Sequence, residues 1–164
     1  MTAGWTRLAA VAASLLLSPG APPRNGPYDI TLFPAAAVPG AGGRARLLPT
    51  DSPFGIGVTA DGRASYDIRI TATGLPLPSR VGHAQGFVAW AATPDLRQWV
   101  RLGTVGNGTS TVGPVELNKF LLVVTAETDT AGAAHAGPTV LHGTSPSGWL
   151  QSFLTHPLFR GIAQ

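Results

Sequence analysis

Alternating apolar and polar positions predict short β-strands along the middle of the chain. Residues 28–33 place Tyr28, Ile30 and Leu32 on one face, as in a half-buried strand. Residues 66–73 alternate more strictly, and residues 54–59 alternate large with small side chains. Asp61-Gly62 lies between these two segments and is typical of a type I′ turn. We therefore predict an antiparallel hairpin that pairs residues 54–59 with residues 66–73.

Asn107-Gly108 is a second turn signal, and it lies between a predicted strand over 98–105 and the next predicted strand, over 118–127. The run Phe120–Val124 is continuously apolar and lies within a predicted strand over 118–127, which is typical of a central strand covered on both faces. The remaining predicted strands are 87–92, 98–105, 139–142 and a weaker edge strand over 44–48, with loops over 34–43 and 74–86. The pattern predicts an all-β fold, an antiparallel β-sandwich of about 7–8 short strands.

The N-terminus has the pattern of a secretory signal peptide over residues 1–21. Arg7 supplies a positive charge, residues 8–17 are apolar apart from Ser14, and residues 18–21 are small or helix-breaking. The apolar run is shorter than the roughly 20 residues that span a bilayer. An uncleaved membrane anchor and an internal helix are the alternative interpretations of this segment. We expect a secreted or periplasmic protein with no transmembrane segment after signal removal, a linker at 22–27 and a domain at 28–143.

The C-terminal residues 144–164 form an apolar tail that is predicted to be partly helical. Ser145 is a suitable N-cap, Pro146 suits the first helical position and Pro157 ends the pattern. Its large apolar side chains either pack back on the domain or dock onto a partner. The partner-binding candidates in the tail are Trp149, Phe153, Leu154 and Phe159.

Composition supports a folded chain with many tight turns. Apolar residues make up 44% of the 164 residues and charged residues only 12%, with 21 Gly and 15 Pro. The absence of cysteine excludes disulfides, thiol catalysis and cysteine-based metal sites. The formal charge is +3, but the arginines are scattered along the chain rather than clustered. We therefore predict no nucleic-acid partner.

The second half of the chain resembles the extracytoplasmic domain of anti-sigma-K factors. The resemblance is carried by Gly86–Trp90 with Val100–Gly103, and by Val123–Glu127 with Gly137–Val140. It covers roughly residues 64–143 and implies an exported β-sandwich. Those factors also have a sigma-binding helical domain and a transmembrane helix, and no segment of this sequence matches either. The resemblance therefore does not imply inhibition of a sigma factor.

Few residues are candidates for site chemistry. His135 and His142 are weak metal-ligand candidates that would meet if the intervening loop folds back. Glu127 follows a core strand, where a carboxylate commonly binds loop backbone. Trp90 and Trp99 are candidates for an exposed aromatic platform, and Trp99 is the better one because Arg97 and Arg101 share its face. The sequence indicates no catalytic residue and no cofactor.

The sequence favours an exported, non-catalytic binding or accessory module with a protein partner in a bacterial cell envelope. Contact through the loop 74–86, the loop 128–138 or the apolar tail is the predicted mechanism. One alternative is a histidine-based metal binder or an accessory protein of a copper oxidase. A second alternative is a small hydrolase, which requires a pocket that joins a histidine to a carboxylate and a serine.

Overall fold

The computed structural model describes residues 26–51, 57, 59–61 and 63–146. Within them the chain forms eight strands and one 3-10 turn, Pro78–Arg80. The strands are β1 Asp29–Pro34, β2 Gly42–Pro49, β3 Tyr66–Thr73, β4 Gly86–Ala92, β5 Trp99–Val105, β6 Gly108–Val115, β7 Leu121–Glu127 and β8 Thr139–Thr144. The described chain is therefore all-β, as predicted, and every strand pairing is antiparallel.

The strands form one sheet in the order β5-β4-β7-β8-β1-β2-β3-β6. The predicted sandwich has two separate sheets, whereas here β1 joins the two halves. Its first four residues pair with β2, and Phe33 and Pro34 pair with β8. The end strands β5 and β6 are consecutive in the chain, and a Cβ at Gly103 would lie 3.0 Å from Val112 Cγ1. The sheet is therefore nearly closed and barrel-like.

The inward face of the sheet forms a single apolar core. In β3 the burial alternates strictly, with Ile68, Ile70 and Ala72 inside and the residues between them outside or partly exposed. Strands β4 and β7 differ because six of the seven residues in each are buried. The prediction that the run Phe120–Val124 belongs to a central strand covered on both faces is thus confirmed.

Two predictions about strand pairing are wrong. The neighbours of β3 are β2 and β6, not the segment 54–59 that the hairpin prediction requires. Of that segment, only Gly57 and Thr59 are among the described residues. The weak edge strand predicted over 44–48 is the interior strand β2. A short antiparallel hairpin does flank Asp61-Gly62, because Thr59 N donates to Arg63 O and Ser65 N donates to Gly57 O, each at 2.9 Å. The prediction is wrong in extending this pairing into β3, whose neighbours are set by more distant segments.

Several predictions concern residues that the structure does not describe. The signal peptide over 1–21, most of the linker and the tail candidates Trp149, Phe153, Leu154 and Phe159 lie outside the described residues, as does the predicted C-terminal helix. Ser145 is described, and its hydroxyl accepts a hydrogen bond from Phe120 N at 3.0 Å. Within the described ranges, no helix has the length and apolar character needed to cross a membrane.

Candidate binding groove

A buried polar network lies on the outer face of β4 and β7. Phe87, Ala89 and Ala91 belong to the main core, so the alternate residues of β4, including Trp90, point the other way. Trp90 is nevertheless only 1% exposed. Its indole Nε1 donates to Thr125 Oγ1 at 2.8 Å, and the Thr125 hydroxyl donates to Glu127 Oε1 at 2.5 Å. These two hydrogen bonds pair polar atoms that burial would otherwise leave without a partner.

Glu127 fastens the loop 128–138 over this network. Its carboxylate, in a residue only 2% exposed, accepts hydrogen bonds from Gly137 N at 3.0 Å and from Ala136 N at 3.2 Å. The structural role predicted for Glu127 is therefore confirmed. The loop also lies close to the sheet, because a Cβ at Gly137 would overlap the carbonyl oxygen of Ala126. At its other end, the Arg101 guanidinium donates to Thr130 O.

The loop brings His135 onto two tryptophans. Its ring centroid lies 3.8 Å from that of Trp99, at an interplanar angle of 33°, and 6.1 Å from that of Trp90, edge-on at 72°. Trp99 is held in place because its Nε1 donates to Leu96 O at 3.0 Å. The loop covers Trp90, which is buried, whereas Trp99 remains partly exposed. The two tryptophans therefore do not form an exposed platform.

An open groove with a volume of about 540 Å³ lies beside this stack. Trp99 and Leu96 contribute from the β4–β5 connection and the start of β5, Val123 from β7, and His142 from β8. His135, Ala136 and Gly137 of the loop and Thr139 complete the lining. Phe33 extends the apolar surface past His142, with ring centroids 6.3 Å apart, and is itself exposed.

The two histidine candidates therefore line the same groove, as expected if the loop folds back. Across the part of the chain that the structure describes, no group of three or more His, Cys, Asp or Glu side chains is placed to hold a metal ion. Arg97 and Arg101 are exposed, as expected from their position beside Trp99, the better of the two platform candidates. The sequence reasoning missed Leu96, which is a single apolar residue in a polar turn.

Leu96 has an unfavourable conformation for its residue type. Its φ is +58°, in the left-handed region, and its side chain is 53% exposed at the rim of the groove. A residue with a Cβ is destabilised by roughly 1–2 kcal/mol in that backbone conformation. The preceding turn is fixed by Asp95, which accepts hydrogen bonds from the Thr93 hydroxyl and from Arg97 N. These two bonds, the one from Thr93 first, hold the pKa of the Asp95 carboxyl below its usual value.

Comparison with known proteins gives no match to this chain. No protein-family model, no curated protein and no solved structure matches it. The groove combines the apolar side chains of Leu96 and Val123, the Trp99–His135 stack and the loop residues Ala136 and Gly137.

Proposed function

We propose that this protein is an exported, non-catalytic binding module whose groove takes an apolar segment of a protein partner. Leu96 is the observation that carries the proposal. An exposed leucine in a left-handed backbone conformation contributes little to folding, since it buries little apolar surface and strains the chain. A leucine at this position is explained if a bound partner covers its side chain.

The rest of the groove suits such a ligand. Trp99 and Val123 provide apolar contact surface, and aromatic anchors of this kind dominate the energetics of protein interfaces. His135 and His142 add donors or acceptors at the sides. Because the loop is fastened by Glu127, the groove is formed before a ligand arrives, which lowers the entropy lost on binding.

Export and the resemblance to anti-sigma-K factors belong to the same proposal. The segments that carry the resemblance are β4, part of β5, β7 and the residues leading into β8, and they lie next to one another in the sheet. In this proposal they form the scaffold of a domain that binds a partner in the cell envelope. Fractionation of the native source, with N-terminal sequencing, tests export: an intact N-terminus on cytoplasmic protein would contradict it.

The groove is tested by selecting peptides from a random display library against the full chain. We expect the selected peptides to share a large apolar residue. Leu96→Gly should weaken their binding about tenfold, a loss typical of one good apolar anchor, while thermal stability is unchanged or higher because glycine tolerates a positive φ. Leu77→Ala is the matched control, because Leu77 is an exposed leucine in the loop 74–86.

Two results would contradict the groove proposal. The first is that no peptide sequence is enriched over the library. The second is that Leu77→Ala and Leu96→Gly weaken binding equally, because binding would then follow general surface hydrophobicity rather than the groove.

Metal binding is a second candidate, because His135 and His142 line one groove. Two imidazoles, with ligands from solvent or a partner, suit Cu²⁺ or Zn²⁺. Titration with each metal should show one site per chain that is lost in His135→Gln and in His142→Gln but retained in His83→Gln. Equal binding by all three variants would contradict it. The groove lining contains no carboxylate and no serine among the described residues, so no observation favours the hydrolase.

A further inference from the structure

The outer face of β1, β2, β3 and β6 carries a regular array of arginines and threonines. Buried Ala45, Leu47, Ile68 and Ile70 point inward, so the residues between them point outward. The strand register aligns these outward residues in two adjacent rows across the sheet. One row is Thr31, Arg44, Thr71 and Thr109, and the other is Asp29, Arg46, Arg69 and Thr111.

The positive charges in this arginine–threonine face are placed unfavourably. Arg46 and Arg69 are directly opposite one another on neighbouring strands, so their Cα atoms are about 5 Å apart. Like charges in that position destabilise a sheet. Arg44 lies on the same strand as Arg46, about 7 Å away along it. Three exposed arginine side chains therefore extend from one small area of the sheet, although the arginines are scattered along the sequence.

The neighbouring acids neutralise little of this charge. Asp29 lies 3.8 Å from Arg46, in a pair whose arginine side chain is 65% exposed. Within the described residues, Arg44 and Arg69 take part in no ion pair. Asp67 is the next outward residue of β3, but its carboxylate leans toward β6, where Oδ1 would be 3.0 Å from a Cβ at Gly113.

We infer that the arginine–threonine face binds a ligand that carries two or more phosphate groups. The guanidinium fork matches phosphate oxygens bidentately, and threonine hydroxyls add neutral donors. Three guanidinium groups carry more positive charge than one phosphate, at about −1.5 to −2 near pH 7, can neutralise, so a ligand with two or more phosphates matches them better. A depression of about 510 Å³ beside Arg44, lined also by Gly43, Thr71 and Thr73, gives the ligand room at this end of the face.

The experiment measures binding of phosphate, pyrophosphate and tripolyphosphate to the full chain by calorimetry. Affinity should rise along the series, because each added phosphate reaches another guanidinium. Arg69→Gln and Arg44→Gln should each weaken tripolyphosphate binding about tenfold, as expected for loss of one charged contact, and should reduce the salt dependence by about one unit of slope. Arg80→Gln is the control, because Arg80 is exposed in the loop 74–86.

Thermal unfolding of the same variants separates binding from a structural role. If the role of Arg69 is to bind a ligand, Arg69→Gln should not lower the melting temperature in the absence of tripolyphosphate. The melting temperature should be unchanged or higher, because the substitution removes the repulsion between Arg69 and Arg46. A fall in melting temperature on that substitution would overturn the inference. Absence of tripolyphosphate binding, or an equal loss in Arg80→Gln, would overturn it as well, since binding would then reflect net charge alone.

Discussion

The hydroxyl of Thr125 links the two halves of the buried network, and its removal tests how much the network contributes. Thr125→Val keeps the shape of the side chain, so no cavity forms. It leaves the buried Trp90 Nε1 without its acceptor and takes one donor away from Glu127. An unsatisfied buried donor costs about 1–3 kcal/mol, and a hydrogen bond to a carboxylate contributes about 1.5–3 kcal/mol. We expect a loss of about 3 kcal/mol in the free energy of unfolding.

Urea denaturation gives this quantity directly, and the melting temperature should fall by roughly 10 °C. Thr111→Val is the matched control, because Thr111 is exposed on β6, and it should change the free energy of unfolding by less than about 0.5 kcal/mol. In a Trp90→Phe background the indole donor is already gone. Thr125→Val should then be less damaging by about 1 kcal/mol or more.

Two results would refute this account of the network. One is a loss below about 1 kcal/mol for Thr125→Val, which would mean that water or another group replaces the hydroxyl at no cost. The other is an equal loss in the wild-type and Trp90→Phe backgrounds, which would mean that Thr125 does not act through the indole.

Two other predictions concern the loop 128–138 and the turn that carries Leu96. Gly137→Ala should displace the loop 128–138, because the added Cβ would overlap Ala126 O, and it should therefore weaken binding of the selected peptides. Gly106→Ala is the control and should leave peptide binding unchanged, because a Cβ there meets nothing within 4 Å. Peptide affinity that is unchanged in Gly137→Ala would contradict the role of the loop. In an NMR titration the Asp95 carboxyl should have a pKa below the usual 3.8, and Thr93→Val should raise it toward that value. Because the pKa of the folded state is the lower one, any stabilisation from Asp95 is present above the unfolded-state pKa and is lost as the pH falls through the folded-state pKa.

Local patterns predicted most of the strands but not their partners. The continuous apolar run identified β7 as a central strand, and period-two alternation located β1 and β3 to within one residue. The strand β6 was not predicted, because Gly113-Pro114 interrupts it and Val112 and Val115 are its only large apolar residues. The apolar pattern of a strand indicates which of its faces is buried. Which strand lies beside it depends on segments far away in the sequence. That is why a single curled sheet could not be distinguished from a sandwich.

The groove was predictable only in part, for a related reason. Exposure of Trp99 followed from its charged neighbours, and Glu127 at a strand end indicated a contact with loop backbone. That His135 lies on Trp99 depends on where an eleven-residue loop rests, and the loop sequence of small residues carries no signal for it. Leu96 was missed because its importance lies in a backbone angle, and leucine is not a residue that normally marks a left-handed turn.

The first and last strands, β1 and β8, are neighbours near the middle of the sheet. During synthesis, β1 and β7 each retain an open edge until β8 has been made. The sheet therefore cannot be completed on the ribosome while its last strand is still in the exit tunnel, and its slowest step should be the closure of contacts distant in sequence. A chain in which β8 has not yet paired therefore exposes the edges of β1 and β7 together, and both are open to pairing with a strand of another molecule.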